Sequence, residues 1–156
     1  MVYHYTESGL DNIYLLNGFK IHKTRYGKGV SIENTDGLHR MIGLWLVDLP
    51  KALNGAELRF LRLEMDLSQS RLAAIIGSTE QSIRRWEKAR LQAIQGPADR
   101  IIRALYNEYA GGDGSLRRMV DRLAELDHVK APKAQLRWAK SDWKLADDRK
   151  SSRVSR

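Results

Sequence analysis

The sequence predicts an α+β protein that is mainly α: a small amino-terminal β meander plus one helix, a group of short helices, an extra amphipathic helix and a basic tail. Alternating apolar and polar residues with turn dipeptides fill the first 34 residues, as half-buried strands require. Apolar residues spaced by three and four then recur as far as Leu126, the period of helices with one buried face. After Val129 the chain turns basic, is interrupted by Pro132, and is expected to be poorly ordered.

In chain order, Asn12–Leu16, Phe19–Lys23 and Gly29–Glu33 read as strands. Asn17-Gly18 is a dipeptide suited to a two-residue hairpin turn, and Tyr26–Gly29 would form a second turn. Thr35 or Asp36 can cap a helix with Leu38, Met41, Ile42, Trp45, Leu46 and Leu49 on its apolar face, ended by Pro50. Asn54 caps the next helix, where Leu58, Leu61 and Met65 share one face beside Phe60. Short helices follow at Gln69–Ile76 and Glu80–Lys88, each started by a Ser or Thr, Ser68 and Thr79, then one from Pro97 to about Tyr109 with Ile101, Ile102, Leu105 and Tyr109 on its apolar face. Ala110-Gly-Gly-Asp-Gly114 reads as a flexible break, and Ser115 opens a helix striped with Leu116, Met119, Val120, Leu123 and Leu126. The expected divisions are 1–53 as a dimer or partner interface, 54–110 as the helical domain, 111–129 as the additional helix and 130–156 as the tail.

Composition narrows the function. No run is apolar enough to span a bilayer, and the start lacks a secretory pattern, so a cytoplasmic protein with no membrane partner is expected. Without cysteine there is no disulfide, thiolate nucleophile or cysteine-based metal site. His4, His22, His39 and His128 lack ligand spacing, so no metal or other cofactor is expected. No paired carboxylates or activated nucleophile mark an enzyme. A formal charge of +8 favours a polyanionic partner, because phosphate contacts release counterions. Residues 130–156 hold nine Lys or Arg against three Asp, most of that excess.

Gln69 through Lys88 carries the functional signal. Ala73 is small where the first helix must approach the second, Gly77 can end that helix, and Thr79 can cap the next. Leu72, Ile76, Ile83 and Trp86 fall on the inner faces; at that position Trp86 reads as core rather than as a stacking platform. The outer face of the second helix holds Glu80, Gln81, Ser82, Arg84, Arg85 and Lys88, side chains able to read base edges or grip phosphates.

Leu67-Ser68-Gln69 through Trp86-Glu87-Lys88 resembles the Cro/repressor-type (XRE) helix-turn-helix family, over about residues 56–109. The resemblance implies a lambda-repressor-like domain that binds double-stranded DNA. Gln69 would meet a phosphate; Ser78, Thr79, Glu80, Gln81, Ser82, Arg84, Arg85 and Lys88 would lie along the DNA, with Arg85 the candidate for guanine. The stretch Ala89–Gly96 departs from the family's shorter loop, which bears on any phosphate contact by Arg90. The segments Tyr5–Leu15 and Gly37–Arg40 resemble MqsA/YgiT antitoxin-like regulators without their zinc-binding cysteines. Together these imply a transcriptional regulator, a repressor of its own operon, acting as a homodimer on a palindromic operator. The alternative is an antitoxin that neutralises a protein toxin and autoregulates.

Overall fold

The computed structural model describes residues 1–125 and 133–146. The chain divides into two units, Met1–Glu125 and Leu126–Arg156. The first begins with β1 (Tyr3–His4) and β2 (Tyr14–Leu15), then β3 (Phe19–Thr24) and β4 (Gly27–Ile32). Six helices follow: α1 (Thr35–Asp48), α2 (Gly55–Glu64), α3 (Gln69–Ile76), α4 (Glu80–Lys88), α5 (Gly96–Gly111) and α6 (Ser115–Glu125). The mainly helical α+β class holds.

The expected meander is instead two separate antiparallel ribbons, β1–β2 and β3–β4. Asn17-Gly18 does turn, with Gly18 at φ 77°. However, β2 is already paired with β1, Tyr3 opposite Leu15, and the Gly18 carbonyl accepts from Glu33 N at 2.9 Å to close the base of β3–β4. The tip of that ribbon is Arg25-Tyr26, between Thr24 and Gly27, two residues before the expected turn.

Helix α1 is capped by Asn34 rather than Thr35 or Asp36. Its left-handed backbone (φ 43°) lets the side chain accept from Gly37 N at 3.1 Å. The buried face is also rotated from expectation: Ile42, Gly43, Leu46 and Val47 face inward, while Met41 is 60% and Trp45 44% exposed. The cause lies on α5. Tyr106, fully buried, fills the space above Gly43, where a Cβ would come within 2.2 Å of its ring. Tyr109, expected to be inward, is exposed.

A polar clamp ties the end of α1 to α5. Buried Asp99 accepts from Leu53 N at 2.8 Å and from Arg103 Nε at 3.1 Å. Arg103 in turn donates to the carbonyls of Val47 and Leu49 at 2.9 Å and to that of Lys51. The orphan carbonyls at the carboxyl end of α1 are thereby satisfied by side chain.

The Gly-rich break is an ordered turn. Gly112 N donates to Glu108 O at 2.6 Å, Gly114 takes φ 82°, and the Glu108 carboxylate accepts from Arg117 N in α6. Leu116 and Val120 pack against the core. Met119, Leu123 and Leu126 lie outside the residues whose side chains are described. In the second unit, β5 (Leu136–Ala139) pairs with β6 (Asp142–Leu145) within the stretch expected to be poorly ordered, and Trp138 meets Trp143 edge-on. The tail residues Lys130, Arg149, Lys150, Arg153 and Arg156 lie outside the described residues.

Gly43→Ala is expected to lower stability by about 1–3 kcal/mol through overpacking against Tyr106, seen as a lower urea midpoint at unchanged slope. Burial, reinforced by the Glu64 carboxylate and Tyr109, pushes the Tyr106 phenol up to about 12. The fold favours the neutral phenol, so its contribution is complete below the ordinary pKa of 10 and is lost as pH rises through about 12. Phenolate absorbance in an alkaline titration should show a component that ionises near pH 12 and is lost in Tyr106→Phe.

Candidate nucleic-acid interface

Helices α3 and α4 form a pair joined by Gly77-Ser78-Thr79. The start of α3 is capped by Ser68, whose hydroxyl accepts from Arg71 N at 3.0 Å. Its end is set by Gly77 at φ 70°, and Ser78 N reaches back to Ala73 O at 2.8 Å. Thr79 caps α4, accepting from Ser82 N at 3.1 Å and donating to the Ser82 hydroxyl at 2.9 Å. Both caps were legible in the sequence.

The inner surface is apolar with one ionic exception. Leu72 and Ile83 are fully buried, Ile75 is buried with them, and Ile76 and Trp86 are half-buried against the core. Between α2 and α4, Arg62 donates Nε to Glu87 Oε2 at 2.7 Å and Nη2 to Glu87 Oε1 at 2.8 Å. Its third nitrogen reaches Leu67 O at 2.9 Å, just ahead of α3. Both side chains are buried, and the bidentate geometry satisfies the carboxylate and most of the guanidinium fork. Sequence reasoning passed over this pair. The signal was present: Arg62 follows Leu58 by four on the inner stripe of α2, and Glu87 follows Ile83 by four on that of α4.

The amino end of α2 lies beneath the carboxyl end of α4. A Cβ at Gly55 would sit 1.9 Å from Trp86 O, so only glycine permits this approach. The long segment after α4 runs back along the same place. Arg90 O accepts from Ala56 N at 3.0 Å, Gln92 O from Gly55 N at 3.2 Å, and Ile94 N donates to Leu53 O at 2.9 Å.

With the inner face held, α4 turns Glu80, Gln81, Arg84, Arg85 and Lys88 to solvent. Gln81, Arg84, Arg85 and Lys88 are three and four apart and form one stripe. Arg84 meets Glu80 at 2.9 Å, an exposed pair worth about 0.3–0.5 kcal/mol and easily exchanged. Arg85 and Lys88 have no ion-pair partner among the described residues. Ser78 and Ser82 are half-buried, and Thr79 is exposed at the cap.

Two of the sequence-selected residues are turned elsewhere. Gln69 is half-buried and donates Nε2 to Glu87 at 3.3 Å, at the edge of the ion pair. Arg90 donates to Gly9 O at 2.8 Å and to Asp11 at 3.3 Å, binding the amino-terminal segment to the loop that follows α4. Among the described residues no cluster of His, Asp or Glu could hold a metal ion, and no helix is long and apolar enough to cross a membrane.

Residues 58–95 match the helix-turn-helix family of Cro/C1 type. These residues are similar to a helix-turn-helix domain. The match takes in most of α2, all of α3 and α4 and the following loop, about a quarter of the chain, and suggests a DNA-binding transcription regulator. It does not reach the amino-terminal segment, so the likeness of that segment to MqsA-type regulators has no support from it. No curated protein and no solved structure matches the chain.

Removing one member of the Arg62–Glu87 pair strands the other as a buried charge, so Glu87→Ala should cost about 3–5 kcal/mol in chemical denaturation. Arg62→Met combined with Glu87→Met should recover most of that loss, since packing would replace the pair.

Proposed function

We propose that this protein is a sequence-specific repressor of its own operon, reading the major groove of duplex DNA with α4. The observation that carries the reading is the exposed stripe Gln81, Arg84, Arg85 and Lys88 on a helix whose opposite face is locked by Ile83 and the Arg62–Glu87 pair. Rigid support is what direct readout needs, because a base contact tolerates little misplacement.

Arg85 is the residue for guanine, presenting its fork to O6 and N7, and Gln81 has the amide geometry for adenine. Glu80 can accept from cytosine, while Ser78, Thr79, Ser82, Arg84 and Lys88 serve nearby phosphates and hold register. Gln69 keeps a second amide N–H beyond the one given to Glu87, available for a phosphate at the start of α3. Arg90 has less to offer DNA while it holds Gly9 and Asp11. The functional unit is a homodimer on a palindromic operator with half-sites about one helical turn apart. An antitoxin role would add capture of a toxin by the amino-terminal segment.

The test is a mobility-shift titration against the DNA upstream of the gene and against random duplex, at two salt concentrations. Far tighter binding upstream supports autoregulation; equal, weak binding to both defeats it. Arg85→Ala should lose about 1–3 kcal/mol on the preferred site and relax choice at one base pair, read by binding to single-base variants. Equal losses on preferred and random DNA would remove Arg85 from base readout.

A further inference from the structure

The β3–β4 ribbon carries a charge that the chain-wide tally conceals. Between Phe19 and Ile32 stand Lys20, Lys23, Arg25 and Lys28 and no acidic residue, a net of +4 in a chain whose total is +8. All four are exposed, and none has an ion-pair partner among the described residues.

Their register is costly without a counter-charge. Lys23 and Lys28 are directly opposite across the strands, so two ammonium groups share one face, and like charges in that position destabilise a ribbon. Arg25 adds a third charge at the tip beside Tyr26, which is 93% exposed. Keeping neighbouring molecules off the strand edges would need charge of either sign, so it does not account for four cations and no acid. The apolar pairs Phe19–Ile32 and Ile21–Val30 lie at the other end, where Phe19 meets Tyr3 and anchors the ribbon to the body. Six residues of strand span about 20 Å, a sizeable part of a helical turn of DNA of about 34 Å.

The segment that leads into the ribbon, at Ser8–Asp11, lies at the carboxyl end of α4. Arg90 bonds Gly9 and Asp11, and Ser8 and Gly9 share a cleft of about 260 Å³ with Lys88 at the end of α4. We propose that the β3–β4 ribbon is a second DNA contact, a basic arm that grips the phosphate backbone next to the half-site read by α4. This rests on the DNA-binding reading of α4 and adds to it a sequence-independent component. The arm supplies affinity and salt dependence, and α4 supplies choice of sequence.

The test uses the full chain and a mixed-sequence duplex three helical turns long. Combined Lys20→Gln, Lys23→Gln and Lys28→Gln should reduce the slope of log affinity against log salt by about 2–3, because each phosphate contact contributes about 0.9. Preferred and random DNA should weaken by the same factor, at least tenfold at low salt, leaving their ratio unchanged, whereas Arg85→Ala lowers that ratio. These changes also relieve the Lys23–Lys28 repulsion, so the ribbon should fold at least as well, and unchanged circular dichroism would document it. Because the chain has no cysteine, Tyr26→Cys provides a unique attachment point for an iron chelate. Strand cleavage confined to the flank of the preferred site is expected. An unchanged salt slope, or the absence of cleavage when the labelled protein binds normally, overturns the arm. Failure of the unaltered chain to bind any duplex overturns both the arm and the reading of α4.

Discussion

The bidentate pair between Arg62 of α2 and Glu87 of α4 is where the packing of the helical domain meets the orientation of its polar face. Helix α4 has nine residues, too short to persist alone in water, and only Ile83 of its side chains is completely buried. Its hold on the domain therefore depends on directional contacts as much as on apolar area. Arg62 provides them by bonding Glu87 through two nitrogens and Leu67 O through the third, so one guanidinium spans α2, α4 and the approach to α3. A charge this deeply buried must keep its partner, and that requirement restricts how far α4 can rotate.

Two further constraints bring the rest of the first unit to this pair. Gly55 lets the start of α2 pass under the carbonyl of Trp86, and the loop beyond α4 returns to bond the same turn. At the opposite side, the Asp99–Arg103 clamp closes the end of α1 on α5, while Tyr106 presses on Gly43. The polar stripe of α4 is thus presented by a framework with little freedom to tilt. Arg84 and Glu80, by contrast, are held only by an exposed pair that a phosphate can readily displace.

The charge of the molecule is distributed in a way that composition hides. Acidic residues on the helices offset nearby basic ones, so the first 129 residues carry a small net charge while containing a ribbon of uniform sign. Pairing β3 with β4 brings Lys23 opposite Lys28 and converts a scatter of cations into a local concentration. Arg90, expected to face DNA, joins the segment from which that ribbon rises to the end of the domain.

The sequence by itself determined the helices, their caps at Asn54, Ser68 and Thr79, the glycine that ends α3, and the polar outer stripe of α4. These depend on residues within a turn or two of one another, where periodicity and capping chemistry act directly. Only the tertiary structure decided that Asn17-Gly18 joins two ribbons, that α1 turns Met41 and Trp45 outward, and that Gln69 and Arg90 bond protein atoms. It also decided that Arg62 and Glu87 are buried together. Each of those outcomes depends on a partner distant in sequence: β1 for β2, Tyr106 for Gly43, α2 for α4, Gly9 and Asp11 for Arg90. Local patterning specifies which face of an element is apolar or charged, but the identity of its neighbour is settled only when all the faces compete for burial at once.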